Sequence, residues 1–321
     1  MMQASAQAQP NIALVKYWGK RDVAANLPAT GSISITLDSL WTRMSVEFDG
    51  AEDTLIVNGV AAAGMLPRVA RCLDSVAGSG RAAARVTSES NFPIAAGLAS
   101  SASAFAALVV AANDAADVGL ERATLSRLAG RASGSAARSL FGGYVELANT
   151  ASGIEVGTLA KPGAWPLQVI VAITEETGKP VGSGDAMIRC AKTSPFYQSW
   201  VERQDEDLAA ARDAIAQRDF EKLAAVSEHN CLKMHSVMWA AKPPIVYWKK
   251  ATLACMEAVR GLQDAGHAVF FTIDAGPNVH LICESQHADE VEAAARSLPG
   301  VQDVLRSGVG GGTRLITASV V

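Results

Sequence analysis

Residues 181–266 carry an almost unbroken helical pattern, interrupted at Ser194-Pro195 and Lys242-Pro243-Pro244, whereas the residues before them mix strands with helices. That single change of character limits the chain more than any other feature. Upstream, Ile33, Ile35 and Leu37 alternate within 31–48, as do Met44, Val46 and Phe48, which predicts two strands. Shorter strand patterns follow at 55–57, 84–88, 144–148, 154–159 and 167–173, with helices over about 101–116 and 120–131 and a short one in 133–141. After residue 266, strands are expected at 268–274, 279–283, 304–307 and 315–320, with a helix at 288–298. The reading is an α+β protein of two domains, 1–180 and 181–321, which 321 residues can supply.

Composition narrows the function. Hydrophobic residues at 49% supply a full core, and a formal net charge of −4 gives no overall attraction for nucleic acid or an anionic membrane. Any anion must therefore be held by a local cluster. Cys72, Cys190, Cys231, Cys255 and Cys283 show no Cys-x-x-Cys pairing, so free thiols and a cytoplasmic location are expected. Residues 1–10 are polar and lack the basic and apolar regions of a secretory signal. The uncharged stretch 91–113 contains Pro93, Gly97, Ser100, Ser101 and Ser103, which makes it a poor membrane span.

Four motifs carry chemistry. Asn91-Phe-Pro-Ile-Ala-Ala-Gly-Leu-Ala-Ser-Ser-Ala-Ser103 places small residues and hydroxyls at a helix start, where free N–H groups and the helix dipole favour phosphate. A small-residue helix packed in a core explains the same composition, and no Gly-Lys-Ser/Thr ending marks a common P-loop. In Ala132-Ser-Gly-Ser-Ala-Ala-Arg-Ser-Leu-Phe-Gly-Gly143, Ser133 and Ser135 can bind an anion, and Arg138 offers a planar fork that matches a carboxylate. Phe271-Thr-Ile-Asp-Ala-Gly-Pro-Asn278 ends an apolar strand on Asp274, suited to a base, or to bonding its own turn. Asn11-Ile-Ala-Leu-Val-Lys-Tyr-Trp-Gly-Lys-Arg-Asp22 clusters Lys16, Lys20 and Arg21 beside Tyr17, which suits a polyphosphate or a solvated surface. The five histidines have no His-Glu-x-x-His spacing, and no Gly-x-Ser-x-Gly elbow occurs.

In this order the four motifs resemble the diphosphomevalonate decarboxylase family of the GHMP kinase superfamily, over nearly the whole chain. The resemblance implies an N-terminal domain like ribosomal protein S5 domain 2, a ferredoxin-like C-terminal domain, and a homodimer. It implies ATP and Mg²⁺, with a nucleotide loop through Ala96, Gly97, Leu98, Ser100, Ser101 and Ser103, and Ser101 at the metal. Asp274 would face the 3-hydroxyl of a phosphorylated mevalonate, Arg138 would hold its carboxylate with Asn11 in support, and Lys16 would lie between nucleotide and reacting groups. Tyr17, Lys20, Ser133, Ser135 and Ser183 would bind the 5-diphosphate. The implied reaction is phosphorylation of the 3-hydroxyl followed by loss of phosphate and CO₂ to give isopentenyl diphosphate.

One stretch departs from the family pattern. Where a Ser-Ser pair and a polar or basic residue are usual, this chain reads Val181-Gly-Ser-Gly-Asp-Ala-Met187. Gly184 supplies no side chain and Asp185 adds negative charge. A like-charge pair at 4 Å costs about 1 kcal/mol in water and about 4 at an effective dielectric near 20. The alternatives are therefore a decarboxylase of mevalonate 5-phosphate, or a kinase that stops after phosphorylation.

Overall fold

The computed structural model describes residues 3–93, 100–175 and 180–317. It opens on a strand, β1 (Gln3–Ala8), where hydropathy shows only a polar segment. Ala4, Ala6 and Ala8 alternate into the core, and alanine is too small to register as a hydrophobic stripe. Then come β2 (Asn11–Val15), β3 (Lys20–Asp22), β4 (Leu27–Pro28), β5 (Ser32–Thr36), β6 (Thr42–Gly50), β7 (Thr54–Val57) and β8 (Val60–Ala61). Helix α1 (Leu66–Ala77) and β9 (Ala83–Ser90) precede three helices: α2 (Ser100–Ala115), α3 (Arg122–Ala132) and the single turn α4 (Ala136–Ser139). The hairpin of β10 (Tyr144–Thr150) and β11 (Gly153–Ala160) follows.

Strand β12 (Leu167–Ile173) leads into the helical run: α5 (Ser183–Thr193), α6 (Tyr197–Glu202), α7 (Gln204–Gln217), α8 (Phe220–Trp239) and α9 (Lys250–Asp264). The two expected breaks fall between α5 and α6 and between α8 and α9. The chain then forms β13 (Val269–Ile273), β14 (Val279–Glu284), α10 (Ala288–Ser297), β15 (Asp303–Ser307) and β16 (Arg314–Ile316).

Three larger sheets result, beside the short β3–β4 pair. The first runs β16-β1-β6-β9-β7-β8, antiparallel except for β7 beside β9, and packs on α1, α2 and α3. Helix α2 is apolar on nearly every side and is buried accordingly. The second is β11-β10-β5-β2, and the third is the antiparallel β13-β14-β12-β15 under α9 and α10. Two strand placements differ from what the order along the chain suggests. Strand β12 precedes residue 180 yet pairs with β14 and β15, and β16 leaves the second half to pair with β1. Hydrophobic alternation marks a strand but does not name its partner.

One apolar cluster spans both halves. Ile12, Ile33 and Ile35 from the second sheet pack with Leu208 of α7 and with Val169, Phe270 and Ile282 of the third. This shared core sets the end of β2 against the end of β13. Among the described residues, no helix is long and apolar enough to cross a membrane. All five cysteines are free and buried.

Candidate active site

A cleft of about 850 Å³ opens where β2, α1, α3, α4 and α5 meet the turn after β13. Strand β2 shifts register between Ala13 and Val15 and delivers Lys16 to its floor. There Lys16 Nζ donates to Asp274 Oδ1 at 2.6 Å and to the Ala13 carbonyl at 2.8 Å. The Lys16 side chain is 1% exposed and that of Asp274 24%, so the carboxylate is the member of the pair that faces the cleft. The Lys16 backbone is clamped on both sides. Its N–H donates to Asn230 Oδ1 at 2.7 Å, and its carbonyl accepts from Gln204 Nε2 at 2.8 Å. Asn230 in turn donates to Gln204 Oε1 and Asp207 Oδ2. No linear motif announces this brace, because its members lie on α7 and α8, about 190 to 215 residues from Lys16.

Asp274 follows the last residue of β13, and its carbonyl accepts from the Gly276 N–H at 2.7 Å. The turn is stapled from outside. Asn278 Oδ1 accepts from the Thr174 and Glu175 N–H groups, and Thr252 Oγ1 donates to the Pro277 carbonyl. Burial works to raise the Asp274 pKa, but Lys16, His280 and Arg138 more than offset it and hold the carboxyl below its ordinary range. His280 and His235 lie buried behind the turn, where burial lowers them to about 4 and about 3, so both are neutral.

Arg138 on α4 is 1% exposed, and two of its three partners come from the polar face of β5. Ile33 and Ile35 point into the core, while Ser34 Oγ accepts from Arg138 Nε at 2.8 Å and Ser32 Oγ from Nη1. Asn11 Oδ1 accepts from Nη2 at 3.1 Å, and Asn11 Nδ2 donates to Ser139 Oγ and the Ser135 carbonyl. Among the described residues no carboxylate lies within ion-pair distance of Arg138. Desolvation pushes its pKa down to about 10, opposed by Asp274 and Tyr17, so it stays charged at neutral pH.

Tyr17 packs on the loop between α3 and α4 so closely that a Cβ on Gly134 would lie 2.4 Å from its ring, which glycine alone permits. The Tyr17 hydroxyl is buried without a hydrogen-bond partner among the described residues, and burial raises its pKa to about 12. Beside it, Ser133 Oγ lies 3.1 Å from Ser101 Oγ in the first turn of α2. Ser135 and Lys20 line the same wall. Ser183 opens α5, whose N-terminal residues Gly182, Ser183 and Gly184 face the cleft. Asp185 is exposed in that first turn and lies near Lys20, where its charge favours the ammonium.

The cleft thus gathers Asn11, Lys16, Tyr17, Lys20, Ser101, Ser133, Ser135, Arg138, Ser183 and Asp274. Ser100 begins α2 beside Ser101. Ser103 is a correction. It is fully buried, and its hydroxyl is taken up by Thr42 Oγ1 at 2.8 Å and the Ser100 carbonyl at 3.2 Å, because the helix has turned inward by the time it reaches this position. Ala96, Gly97 and Leu98 lie outside the described residues. Sequence reasoning missed Arg68, Arg71 and Arg131, which bring three further cations to the cleft. The spacing of Arg68 and Arg71 by one helical turn was the available signal. Among the described residues no three His, Cys, Asp or Glu side chains form a metal cluster.

A two-domain α+β chain whose helix N-termini and buried cations converge on one lysine-paired carboxylate is an enzyme of the GHMP kinase type. Residues 8–156 match the diphosphomevalonate decarboxylase-like N-terminal domain, and residues 169–309 match the mevalonate 5-diphosphate decarboxylase C-terminal domain. The chain belongs to the diphosphomevalonate decarboxylase family. It is 33% identical to the diphosphomevalonate decarboxylase of Candida albicans, over 91% of this chain and 87% of that one. The mevalonate diphosphate decarboxylase from Staphylococcus aureus superposes with a TM-score of 0.92 at 35% identity, covering 98% of each chain. The structure described as MDDEF in complex with MVAPP, AMPPCP and magnesium superposes with a TM-score of 0.91 at 34% identity, covering 98% of this chain and 99% of that one.

Proposed function

We propose that this chain converts mevalonate 5-diphosphate, with ATP, to isopentenyl diphosphate, ADP, phosphate and CO₂. The observation that carries the reading is the pairing of an ionised Asp274, held by Lys16, with an Arg138 that has no carboxylate of its own among the described residues. A kinase that stopped at phosphorylation would have less use for a buried, carboxylate-seeking guanidinium.

Asp274 orients the tertiary 3-hydroxyl and accepts its proton as the oxygen attacks the γ-phosphorus of ATP and ADP leaves. A tertiary hydroxide is a poor leaving group, and the 3-phosphate is a good one. As the C3–O bond breaks, the bond to the carboxylate carbon supplies its electron pair to form the double bond, releasing CO₂ and phosphate. Arg138, aligned by Asn11, Ser32 and Ser34, holds the carboxylate so that its C–C bond lies opposite the leaving phosphate. Lys16 stands behind Asp274 as its counter-charge, and the fixed cations and helix N-termini stabilise charge without reorganising.

Residues Ser100 and Ser101, in the first turn of α2, suit nucleotide phosphate, and the Ser101 hydroxyl suits Mg²⁺. The ion, when bound, neutralises phosphate charge. Tyr17, Lys20, Ser133, Ser135 and Ser183 take the 5-diphosphate. Asp185 does not oppose this, since it is exposed and its charge favours the Lys20 ammonium. In this reading the chain up to β11, joined by β16, holds the nucleotide and most of the phosphate contacts, while β12 to β15 present Asp274 and, from α5, Ser183. The setting is a cytoplasmic homodimer: the family resemblance supports the pairing, and five free buried thiols suit a reducing compartment.

The test is to supply mevalonate, its 5-phosphate and its 5-diphosphate with ATP, and to measure ADP and CO₂ separately. Equal release of both from the diphosphate is expected. ADP without CO₂ would leave only a kinase.

A further inference from the structure

Lys16 is the first residue beyond β2, where sheet pairing stops, so its buried backbone groups need partners from outside the strand. Asn230 Oδ1 and Gln204 Nε2 supply them, at 2.7 and 2.8 Å. Both amides are fully buried, and each could turn over to present the wrong atom. What fixes their direction lies one layer further out. The two hydrogens of Asn230 Nδ2 are both directed, one to Gln204 Oε1 at 2.9 Å and one to Asp207 Oδ2 at 2.5 Å.

Asp207 is 9% exposed and forms an ion pair with Lys233. A carboxylate paired with an ammonium only accepts hydrogen bonds, so Asp207 decides which end of Asn230 faces it. The Asn230 oxygen is then left for the Lys16 N–H. Its second hydrogen takes Gln204 Oε1, which turns Gln204 Nε2 toward the Lys16 carbonyl. Reversed, Asn230 would set an oxygen against a carboxylate and an amine against an N–H, both away from water.

The spacing of the four residues suits this arrangement. Gln204 and Asp207 are three apart on α7, and Asn230 and Lys233 are three apart on α8, so each helix presents its pair on one face. None of the four is among the described residues that line the cleft, so any part they play in the reaction runs through Lys16. Apolar side chains would pack α7 on α8 equally well. Polar groups whose contacts instead converge on the partner of Asp274 point to placement.

We propose that Asp207 is a positioning residue: with Lys233 as counter-ion, it fixes the direction of Asn230 and Gln204 and so holds the Lys16 ammonium at Asp274. This rests on Asp274 being the reacting carboxylate, but not on whether the substrate is a mono- or a diphosphate.

The test measures kcat, both KM values and the Asp274 titration, by ¹³C NMR of labelled aspartate, in the full chain and in Asp207→Ala, Asp207→Asn and Leu208→Ala. Leu208 is the next residue of α7 and packs in the apolar core, so its variant loosens the helix and keeps the brace. Asp207→Ala should lower kcat roughly tenfold to a hundredfold, as for a reacting group misplaced by about an ångström, while both KM values stay in place. Asp274 should titrate at higher pH as Lys16 withdraws. Asp207→Asn, which keeps an oxygen for Asn230, should fall between the parent and Asp207→Ala. If Asp207→Ala does not fold, Asp207→Asn decides alone, and its Lys16 N–H should exchange with deuterium faster than in the parent. Unchanged kcat, titration and exchange in a folded Asp207 variant, or the same changes in Leu208→Ala, overturn the assignment. If Asp207→Ala moves the Asp274 titration in a chain that releases ADP without CO₂, the decarboxylase reading fails and this one stands.

Discussion

Lys16 Nζ lies 2.6 Å from Asp274 Oδ1, joining residues 258 apart in the chain and from opposite halves of the fold. The lysine is almost wholly buried and the carboxylate reaches the cleft, so the lysine is a fixed counter-charge beneath it. Coulombic support from beneath keeps Asp274 ionised in a site that desolvation would otherwise neutralise.

Asp274→Asn should lower kcat by about 10² to 10⁴, the usual range for a positioned base. Lys16 keeps the Ala13 carbonyl but loses its counter-charge, so the variant should also melt at lower temperature. ADP and CO₂ release should fall together, while a fluorescent ATP analogue still binds. Selective loss of CO₂ with ADP formation intact would reassign Asp274 to the second step.

The Asp274 titration should move with Lys16. A carboxyl whose folded pKa is depressed contributes stability that is present above its unfolded value and is lost as pH falls through the lower folded value. In the parent chain that loss lies below 3.8. Lys16→Met removes the largest lowering cause and leaves burial less opposed, so ¹³C NMR of labelled aspartate should show Asp274 titrating at higher pH. No upward movement would mean that the ion pair does not set its charge state.

Replacing Arg138 by lysine should not be conservative. Lysine cannot serve Ser34, Ser32 and Asn11 at once and still present a fork to a carboxylate. A drop of about 10² or more in kcat/KM is expected, corresponding to one buried charge-assisted pair. Nucleotide affinity measured separately should stay in place.

Tyr17→Phe should separate stability from binding. The Tyr17 hydroxyl is buried with no partner among the described residues, so its removal should leave the melting temperature unchanged or raise it. Substrate affinity should fall several-fold, as for a neutral hydrogen bond of about 1 kcal/mol. A destabilised variant with unaltered affinity would make Tyr17 a packing residue only.

Asn230→Ala should cost about 1 to 3 kcal/mol, because it leaves the buried Lys16 N–H without its acceptor. Denaturant unfolding measures the loss, and kcat should decline as Lys16 loosens.

Several features are legible in the amino-acid sequence itself. The turn after an apolar strand places Asp274 at a strand end, and the serine cluster marks the head of α2. Alternation in 31–48 locates β5 and β6 through their isoleucine, methionine and phenylalanine faces. What escapes is the other face. Ser32 and Ser34 read as the polar side of a strand, and only packing of α4 over β5 makes them ligands of Arg138. Strand β1 escapes because alanines fill its inward positions, and Ser103 looks like a phosphate ligand because spacing does not reveal helix rotation.

The residues alone determined the chemical inventory: one acid at a turn, an arginine among small residues, serines at helix starts, and a cationic N-terminal motif. Local sequence can do this because strand ends, helix starts and turns depend on near neighbours. The tertiary structure alone decided that Lys16 pairs with Asp274, that Asn230 and Gln204 hold Lys16, that Arg68 lines the cleft, and that β12 and β16 cross between halves. Those relations depend on contacts between residues far apart in the chain, which the apolar core shared by both halves brings together.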